Sequence, residues 1–277
     1  MNDNIMSPKI GLALGGGGAR GYAHIGVIKA LEKNNIPIDL IAGTSAGALV
    51  GALYSFFKNC EDVEQVALGN DLFRLLGLVD PSFAGGLIKG DKLRNFLVQV
   101  FEGVGFDGLQ IPFSAVTTGV GDAKIEVFCS GDLASAVQAS AAFPLVFNPV
   151  ALDNKILWDG GMSDPVPADV AKRMGADIVI AVNLYNKSAF EGRKEERKEG
   201  AYEIAARAIE ALQYNLSNEC LKCADIVIEP SVAGVDILGL DKFLKGGDEI
   251  ILEGEKAAIE ALPKIKETIE RYSRSRL

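Results

Sequence analysis

The sequence has few of the residues that build disulfide frameworks and metal sites, with four cysteines and one histidine among 277 residues. Four cysteines in so long a chain fit a reduced compartment, because disulfide frameworks serve small secreted domains that lack a core. No uninterrupted apolar run reaches the roughly 18 residues that cross a bilayer. Residues 1–8 carry an acid where a secretory signal carries cations. We therefore expect a soluble, cytoplasmic protein.

Basic residues are outnumbered by acidic ones, which gives a formal net charge of −9. Nucleic acids and strongly anionic membranes are bound through basic patches. The charge argues against a nucleic-acid partner, and it limits any membrane contact to a transient, local and apolar one.

One pair of cysteines, Cys220 and Cys223, has the Cys-x-x-Cys spacing of a metal site. A four-ligand zinc site would also need Cys60, Cys129 or His24 to converge on this pair, because the chain has no second clustered pair. We expect no metal site.

Short β-branched runs alternate with helical periodicity along the chain, a pattern typical of parallel strands joined by crossover helices. The apolar share of 48% is ample for a large core, and no linker-like composition divides the chain, so we expect a single domain over residues 1–277. Strands are predicted at 9–14, 38–42, 113–120, 124–129, 155–158, 177–182 and 225–229. Helices are predicted near 19–34, 46–57, 61–76, 91–101, 133–142, 166–174, 201–221 and 248–271.

Two segments do not fit this alternation. Residues 186–200 mix charges without apolar periodicity and are predicted to be a solvated surface excursion. Residues 75–88 combine apolar side chains with glycines and a proline, which indicates either a mobile lid over an apolar site or an ordinary core-packed loop.

A serine lies directly between a predicted strand and a predicted helix, in Gly43-Thr-Ser45-Ala-Gly47. A strand that turns sharply into a helix holds the turn residue in a strained conformation, and glycine on either side permits the close approach. Ser45 would then project its hydroxyl at a helix N-terminus, which favours developing negative charge. The pattern indicates a nucleophile, with a structural turn as the alternative.

Four consecutive glycines, Gly15 to Gly18, also lie between a strand and a helix, followed by Arg20 and Gly21. Such a run has a high entropic cost, so it indicates that the backbone must approach something closely. In an acyl-transfer enzyme, the N–H groups of such a loop can form an oxyanion hole.

The same loop also satisfies the dinucleotide fingerprint, as Gly16-x-Gly18-x-x-Gly21. That fingerprint expects an acid at the end of the second strand, whereas Asp39 lies at its start. A triphosphate-binding loop would need a lysine after the last glycine, and Tyr22 occupies that position. Nucleotide binding stays open as the weaker alternative.

The base that activates Ser45 is not a histidine of the usual kind, because His24 lies on an apolar helix beside the glycine loop. A buried carboxylate within hydrogen-bond reach can take this role. Asp159 would stand at the end of a predicted strand, and Gly160 and Gly161 leave room for its carboxylate. A surface turn of the Asp-Gly kind is the alternative.

Three motifs in this order, Gly16-Gly-Gly-Ala-Arg20-Gly21, Gly43-Thr-Ser45-Ala-Gly47 and Asp159-Gly160-Gly161, resemble those of patatin-like phospholipases. Residues 139–149, with Pro144, also resemble the family's proline-bearing block. The similarity extends over residues 9–184.

The resemblance implies a three-layer α/β/α fold with a mainly parallel central sheet, and an acyl hydrolase of the lipid or phospholipase A type. It implies a dyad of Ser45 and Asp159, and an oxyanion hole formed by the N–H groups of Gly16, Gly17 and Gly18. Arg20 would fix the loop or help to neutralise charge. The substrate would be a lipid or another acyl ester, with no metal and no organic cofactor. A regulatory protein without activity on the same fold is a further alternative.

Overall fold

The computed structural model describes residues 7–69, 89–191, 200–235 and 247–276. Within these ranges, eight strands form one sheet. The strands are Ile10–Leu14 (β1), Leu40–Thr44 (β2), Phe113–Gly119 (β3), Ile125–Phe128 (β4), Val150–Leu152 (β5), Lys155–Asp159 (β6), Ile178–Val182 (β7) and Ile226–Ile228 (β8).

The helices alternate with the strands over most of the chain. They are Tyr22–Lys33 (α1), Ala46–Phe57 (α2), Cys60–Gly69 (α3), Asp91–Val100 (α4), Leu133–Ser140 (α5), Ala168–Arg173 (α6), Ala201–Cys220 (α7) and Gly247–Ser275 (α8).

The sheet is mixed but mainly parallel, in the order β5-β6-β3-β2-β1-β7-β8 with β4 also paired to β3. The neighbours β3, β2, β1, β7 and β8 are parallel, as the alternating pattern predicts. The pairings of β4, β5 and β6 are antiparallel, and β5 was not expected, because it has three residues, none of them fully buried.

Helices cover both faces of the sheet. Alternate residues of β1 show this directly, since Leu12 and Leu14 join the core that includes α1, α2 and α8. Ala13 faces the other way, into a second core with Val170 of α6. This two-residue period follows from strand geometry. The predicted three-layer α/β/α fold is confirmed.

The C-terminal third of the chain packs on the same sheet. Strand β8 pairs with β7, and Ile251, Ala258 and Ile265 of α8 are buried in the core shared with α1. The predicted strand 177–182 corresponds to β7, which is buried along its whole length between β1 and β8.

Some sequence predictions fall partly or wholly outside the described ranges. The predicted lid, residues 75–88, lies outside them, as do residues 192–199 of the charged stretch. The described start of that stretch is less solvated than expected, because Asn186 and Ala189 are buried. Among the described helices, none is long and apolar enough to cross a membrane.

Candidate active site

Ser45 stands at the junction of β2 and α2, as the motif predicts. Its backbone has φ 54° and ψ −120°, a left-handed φ that is uncommon for a residue other than glycine. Its N–H donates to Ser140 Oγ at 2.9 Å, and Ser140 Oγ donates to the Val116 carbonyl at 2.6 Å. The strained turn is therefore held by a buried hydroxyl from α5.

The glycines beside Ser45 are required by close backbone approach. A Cβ on Gly47 would lie 2.1 Å from the carbonyl oxygen of Leu14. A Cβ on Gly43 would lie 2.6 Å from the carbonyl oxygen of Gly47. Any side chain at either position would force the strand and the helix apart, so both glycines support the turn as the sequence suggests.

Asp159 reaches Ser45 through the register of β3. Strand β2 runs parallel to β3 and ends with Thr44 opposite Val116. Strand β6 runs antiparallel to β3 and ends with Asp159 opposite Thr117. The two strands thus run toward each other on either side of β3, and they end opposite successive residues of β3. This register brings the side chain of Asp159 to the turn at Ser45.

The carboxyl group of Asp159 is buried, and only one of its oxygens has a well-formed partner. Oδ1 accepts the N–H of Gly161 at 2.7 Å, whereas Oδ2 has no hydrogen-bond partner among the described residues. Burial raises the pKa of Asp159 to about 7, and side-chain hydrogen bonding to Ser45 and the Gly161 N–H oppose that rise. A loose contact between nucleophile and base is common in the free state of an enzyme.

The glycine loop after β1 lies directly beside Ser45. A Cβ on Gly16 would be 3.3 Å from the Cβ of Ser45. The N–H of Gly16 donates to the Pro165 carbonyl at 2.9 Å, which differs from the expectation that it faces an oxyanion. The N–H groups of Gly17 and Gly18 make no backbone hydrogen bond within the described part of the chain.

Arg20 is buried and holds the loop in place. Its guanidinium forms an ion pair with Glu210 of α7 at 2.5 Å. It also donates to the carbonyls of Val235, at 2.9 Å, and Leu184, at 3.4 Å. These contacts favour the first of its two predicted roles, fixing the loop, over charge neutralisation at a substrate.

His24 also supports the loop. Its Nε2 donates to the carbonyl of Gly15 at 2.7 Å, and the ring is fully buried. Burial lowers the pKa of His24 to about 4, so the ring is neutral at physiological pH. Its position agrees with the packed helix predicted from its neighbours.

Two polar side chains near the site were not singled out by the sequence. A Cβ on Gly161 would lie 2.5 Å from Gln213 Nε2 and 3.3 Å from Tyr185 Oη, and a Cβ on Gly16 would lie 2.7 Å from Tyr185 Oη. Tyr185 follows β7, and residues after the carboxyl ends of parallel strands often build sites. That rule could have identified Tyr185 from the sequence.

Within the described ranges, no group of three or more His, Cys, Asp or Glu side chains is arranged to hold a metal ion. Cys220 and Cys223 are free thiols, and Cys223 is exposed. Cys220 is the last residue of α7, and Cys223 lies in the short helical turn that follows it.

Comparisons with known proteins find relatives of this chain in sequence and in fold. The family described as patatin-like phospholipase matches residues 12–172. An uncharacterised NTE family protein of Mycobacterium tuberculosis is 38% identical over 191 residues, covering 69% of this chain and 53% of that protein. Human patatin-like phospholipase domain-containing protein 6 is 36% identical over 183 residues, covering 63% of this chain and 13% of that protein. The chain thus spans about half the length of the mycobacterial relatives.

Among solved structures, VipD from Legionella pneumophila has a similar fold. The TM-score is 0.66 at 15% identity, over 94% of this chain and 67% of that one. At that identity, the similarity concerns the fold alone.

Proposed function

Because the chain belongs to the patatin-like phospholipase family, we propose that it is a serine acyl-ester hydrolase with Ser45 as nucleophile and Asp159 as base. One observation carries the proposal: a serine in a strained strand-to-helix turn lies beside a buried carboxyl whose pKa is raised to about 7. The substrate class is an acyl ester, lipid in kind, and the reaction uses no cofactor.

In the acylation step, Ser45 Oγ attacks the ester carbonyl carbon while its proton passes to Asp159. Collapse of the tetrahedral intermediate breaks the bond to the alcohol, which leaves with the proton from Asp159. In the deacylation step, water attacks the acyl carbon and gives a proton to Asp159. The bond to Oγ then breaks, and Ser45 recovers its proton.

The environment of Asp159 suits a base that works without histidine. A carboxylate in water, with a pKa near 4, is too weak a base to be of much use near neutral pH. Burial brings the pKa of Asp159 to about 7, near the pH at which a general base is most efficient. The second oxygen, Oδ2, has no partner of its own among the described residues and is free to take the proton.

We assign the oxyanion hole to the N–H groups of Gly17 and Gly18, leaving out Gly16, whose N–H is used by Pro165. Gly18 has φ 55°, a left-handed conformation that glycine adopts without strain. Each oxyanion donor of this kind is worth roughly 3 kcal/mol of transition-state stabilisation. The N-terminus of α2, beside Ser45, adds a favourable dipole.

We further propose that the described parts of residues 1–277 act as one hydrolase domain. The support is that β8 and α8 complete the sheet and the core on which the site is built. The nucleotide-binding alternative gains no support from this geometry, because the glycine loop packs beside Ser45, with Arg20 already paired to Glu210.

The test is labelling by a fluorophosphonate probe together with turnover on a panel of acyl esters. Wild type should be labelled and active, whereas Ser45→Ala should lose labelling and should lose turnover by on the order of 10⁴-fold or more. Ser55→Ala is the matched control, since Ser55 is a buried serine ten residues further along α2; it should behave as wild type.

Two outcomes would contradict the proposal. Equal labelling of Ser45→Ala would remove Ser45 as nucleophile. A folded wild type that neither reacts with the probe nor turns over any ester would point to the regulatory alternative, and a thermal shift with nucleotide would then point to the glycine-loop alternative.

A further inference from the structure

Helix α7 turns polar side chains toward the protein interior. Glu210, Gln213 and Ser217 are buried, whereas Ile204 and Leu212 are 56% and 68% exposed. A helix packed on a globular core ordinarily has the opposite distribution. The polar stripe therefore indicates a task inside the protein other than hydrophobic packing.

Two of the three buried polar side chains have protein partners. Glu210 pairs with Arg20 at 2.5 Å, and Ser217 Oγ donates to the Tyr214 carbonyl at 2.8 Å. Gln213 is different, because neither Nε2 nor Oε1 has a hydrogen-bond partner among the described residues, although both atoms are buried. Burying an amide without hydrogen-bond partners costs free energy of folding, so we expect this side chain to bind a ligand.

The carboxamide of Gln213 lies beside the carboxyl of Asp159. A Cβ on Gly161 would be 2.5 Å from Gln213 Nε2 and 3.0 Å from Asp159 Oδ1. The two atoms are thus close enough to be bridged by one water at ordinary hydrogen-bond lengths of ~2.8 Å. Among the described residues, Oδ1 accepts only the Gly161 N–H, at 2.7 Å, and a carboxylate oxygen can accept a second hydrogen bond from such a water.

We propose, on the basis of the hydrolase function above, that Gln213 is the residue that positions the hydrolytic water for deacylation. Nε2–H donates to the water oxygen, or Oε1 accepts one of its protons, while another water proton is directed to Asp159. The water oxygen then bonds to the acyl carbon, the proton moves to Asp159, and the bond to Ser45 Oγ breaks as Ser45 regains that proton.

The proposal separates the two halves of the reaction. Acylation needs Ser45, Asp159 and the oxyanion hole, but it does not involve the hydrolytic water. Deacylation needs that water in a defined place. A merely structural glutamine would affect both steps together, through the shape of the site or the stability of the fold.

The experiment replaces Gln213 with methionine, which has a similar length and no hydrogen-bonding amide. With a chromogenic ester, Gln213→Met should give a burst of about one product per active site and then a steady state about 10- to 100-fold slower than wild type. Mass spectrometry should find the acyl group on Ser45, and the rate of fluorophosphonate labelling should stay unchanged. Gln110→Met, at an exposed glutamine that bonds the carbonyls of Phe56 and Phe57, should show neither burst nor slowing.

Gln213→Asn gives a second measure, because the shorter amide keeps the polarity but loses the reach. It should show the same burst followed by a slowed steady state, with a smaller slowing than in Gln213→Met. Equal loss of labelling and turnover in the two Gln213 variants, or no change in either rate, would overturn the role of Gln213. If wild type lacks turnover, or Ser45→Ala is still labelled, the hydrolase proposal itself fails, and the two failures are thereby distinguished.

Discussion

Replacing Asp159 with asparagine should abolish hydrolysis and, at neutral pH and above, stabilise the folded protein. The carboxyl is fully buried, and burial raises its pKa from 3.8 to about 7. Above that pH, the folded protein must hold an ionised group in a poorly solvated place, which the unfolded chain need not do. Asparagine has nearly the same shape and cannot ionise.

The size of the effect follows from the two pKa values. Below pH 4, the carboxyl is protonated in both states and carries no penalty. As the pH rises from 4 to 7, the unfolded chain releases the proton and the folded protein retains it, so wild-type stability falls by about 1.4 kcal/mol per pH unit. Over the interval from 3.8 to about 7, the loss reaches roughly 4 kcal/mol and is constant at higher pH.

Urea unfolding of both proteins from pH 4.5 to 8.5 measures this difference. The buried carboxyl of Asp164 also has a raised pKa, but it is present in both proteins, so its contribution cancels in the difference to first order. Asp107→Asn, which makes the same substitution at an exposed aspartate, is the control for the change of side chain itself. The same pKa predicts that wild-type hydrolysis rises with pH, is half-maximal near pH 7 and levels off above it.

A stability difference between Asp159→Asn and wild type that stays flat across this range would refute the reasoning, because it would mean that Asp159 ionises alike in the folded and unfolded states. A difference that favours the variant more strongly at acid pH would refute it as well. Either result would also remove the main physical argument for Asp159 as a base at neutral pH.

Two further predictions concern residues that support the site. Glu210→Ala leaves the Arg20 charge buried without its partner and should cost about 3–5 kcal/mol in urea unfolding, whereas Glu210→Gln, which keeps an acceptor, should cost less; equal costs would contradict the ion pair's role. Ser140→Ala removes the acceptor of the Ser45 N–H and should cost about 1–3 kcal/mol while slowing probe labelling at Ser45. Unchanged labelling of a folded Ser140→Ala protein would show that the turn holds without this bond.

The turn at Ser45 could be predicted from the sequence because everything that forms it is local. A β-branched run, two glycines and a helical apolar period are all within one short segment, and the predicted helix 46–57 has the observed bounds of α2. Gly47 is required by the close approach of the Leu14 backbone, and Gly43 by the close approach of the Gly47 backbone. Such contacts are the reason that the pattern has predictive value.

The position of Asp159 could not be predicted in the same way. It depends on β6 pairing antiparallel to β3, so that β6 ends where β2 ends. Residues far apart in the chain meet there, and their order in the sheet is not encoded in any local period. The sequence indicated Asp159 because His24 was not suited to act as the base, and because of the family resemblance.

The oxyanion loop was only partly predictable, because its free donors also depend on contacts between distant segments of the chain. The four glycines show that the backbone makes a close approach, but they do not show which N–H groups stay free. Gly16 is held by the Pro165 carbonyl, a contact between segments about 150 positions apart. The sequence could therefore identify the loop without identifying its donors.

Helix α7 was predicted from its period, yet its contribution to the site was missed, because that prediction did not extend to which of its residues are buried. The inner face carries Glu210, Gln213 and Ser217. An inverted distribution of this kind is detectable in a sequence, as polar residues at helical spacing opposite exposed apolar ones. Burying an unpaired amide is also unfavourable for stability. Gln213→Met, which removes that amide, should therefore leave the fold as stable as wild type or more stable. A helix whose buried residues hold the loop through Arg20 and face the carboxyl of Asp159 is better explained by the reaction than by the core.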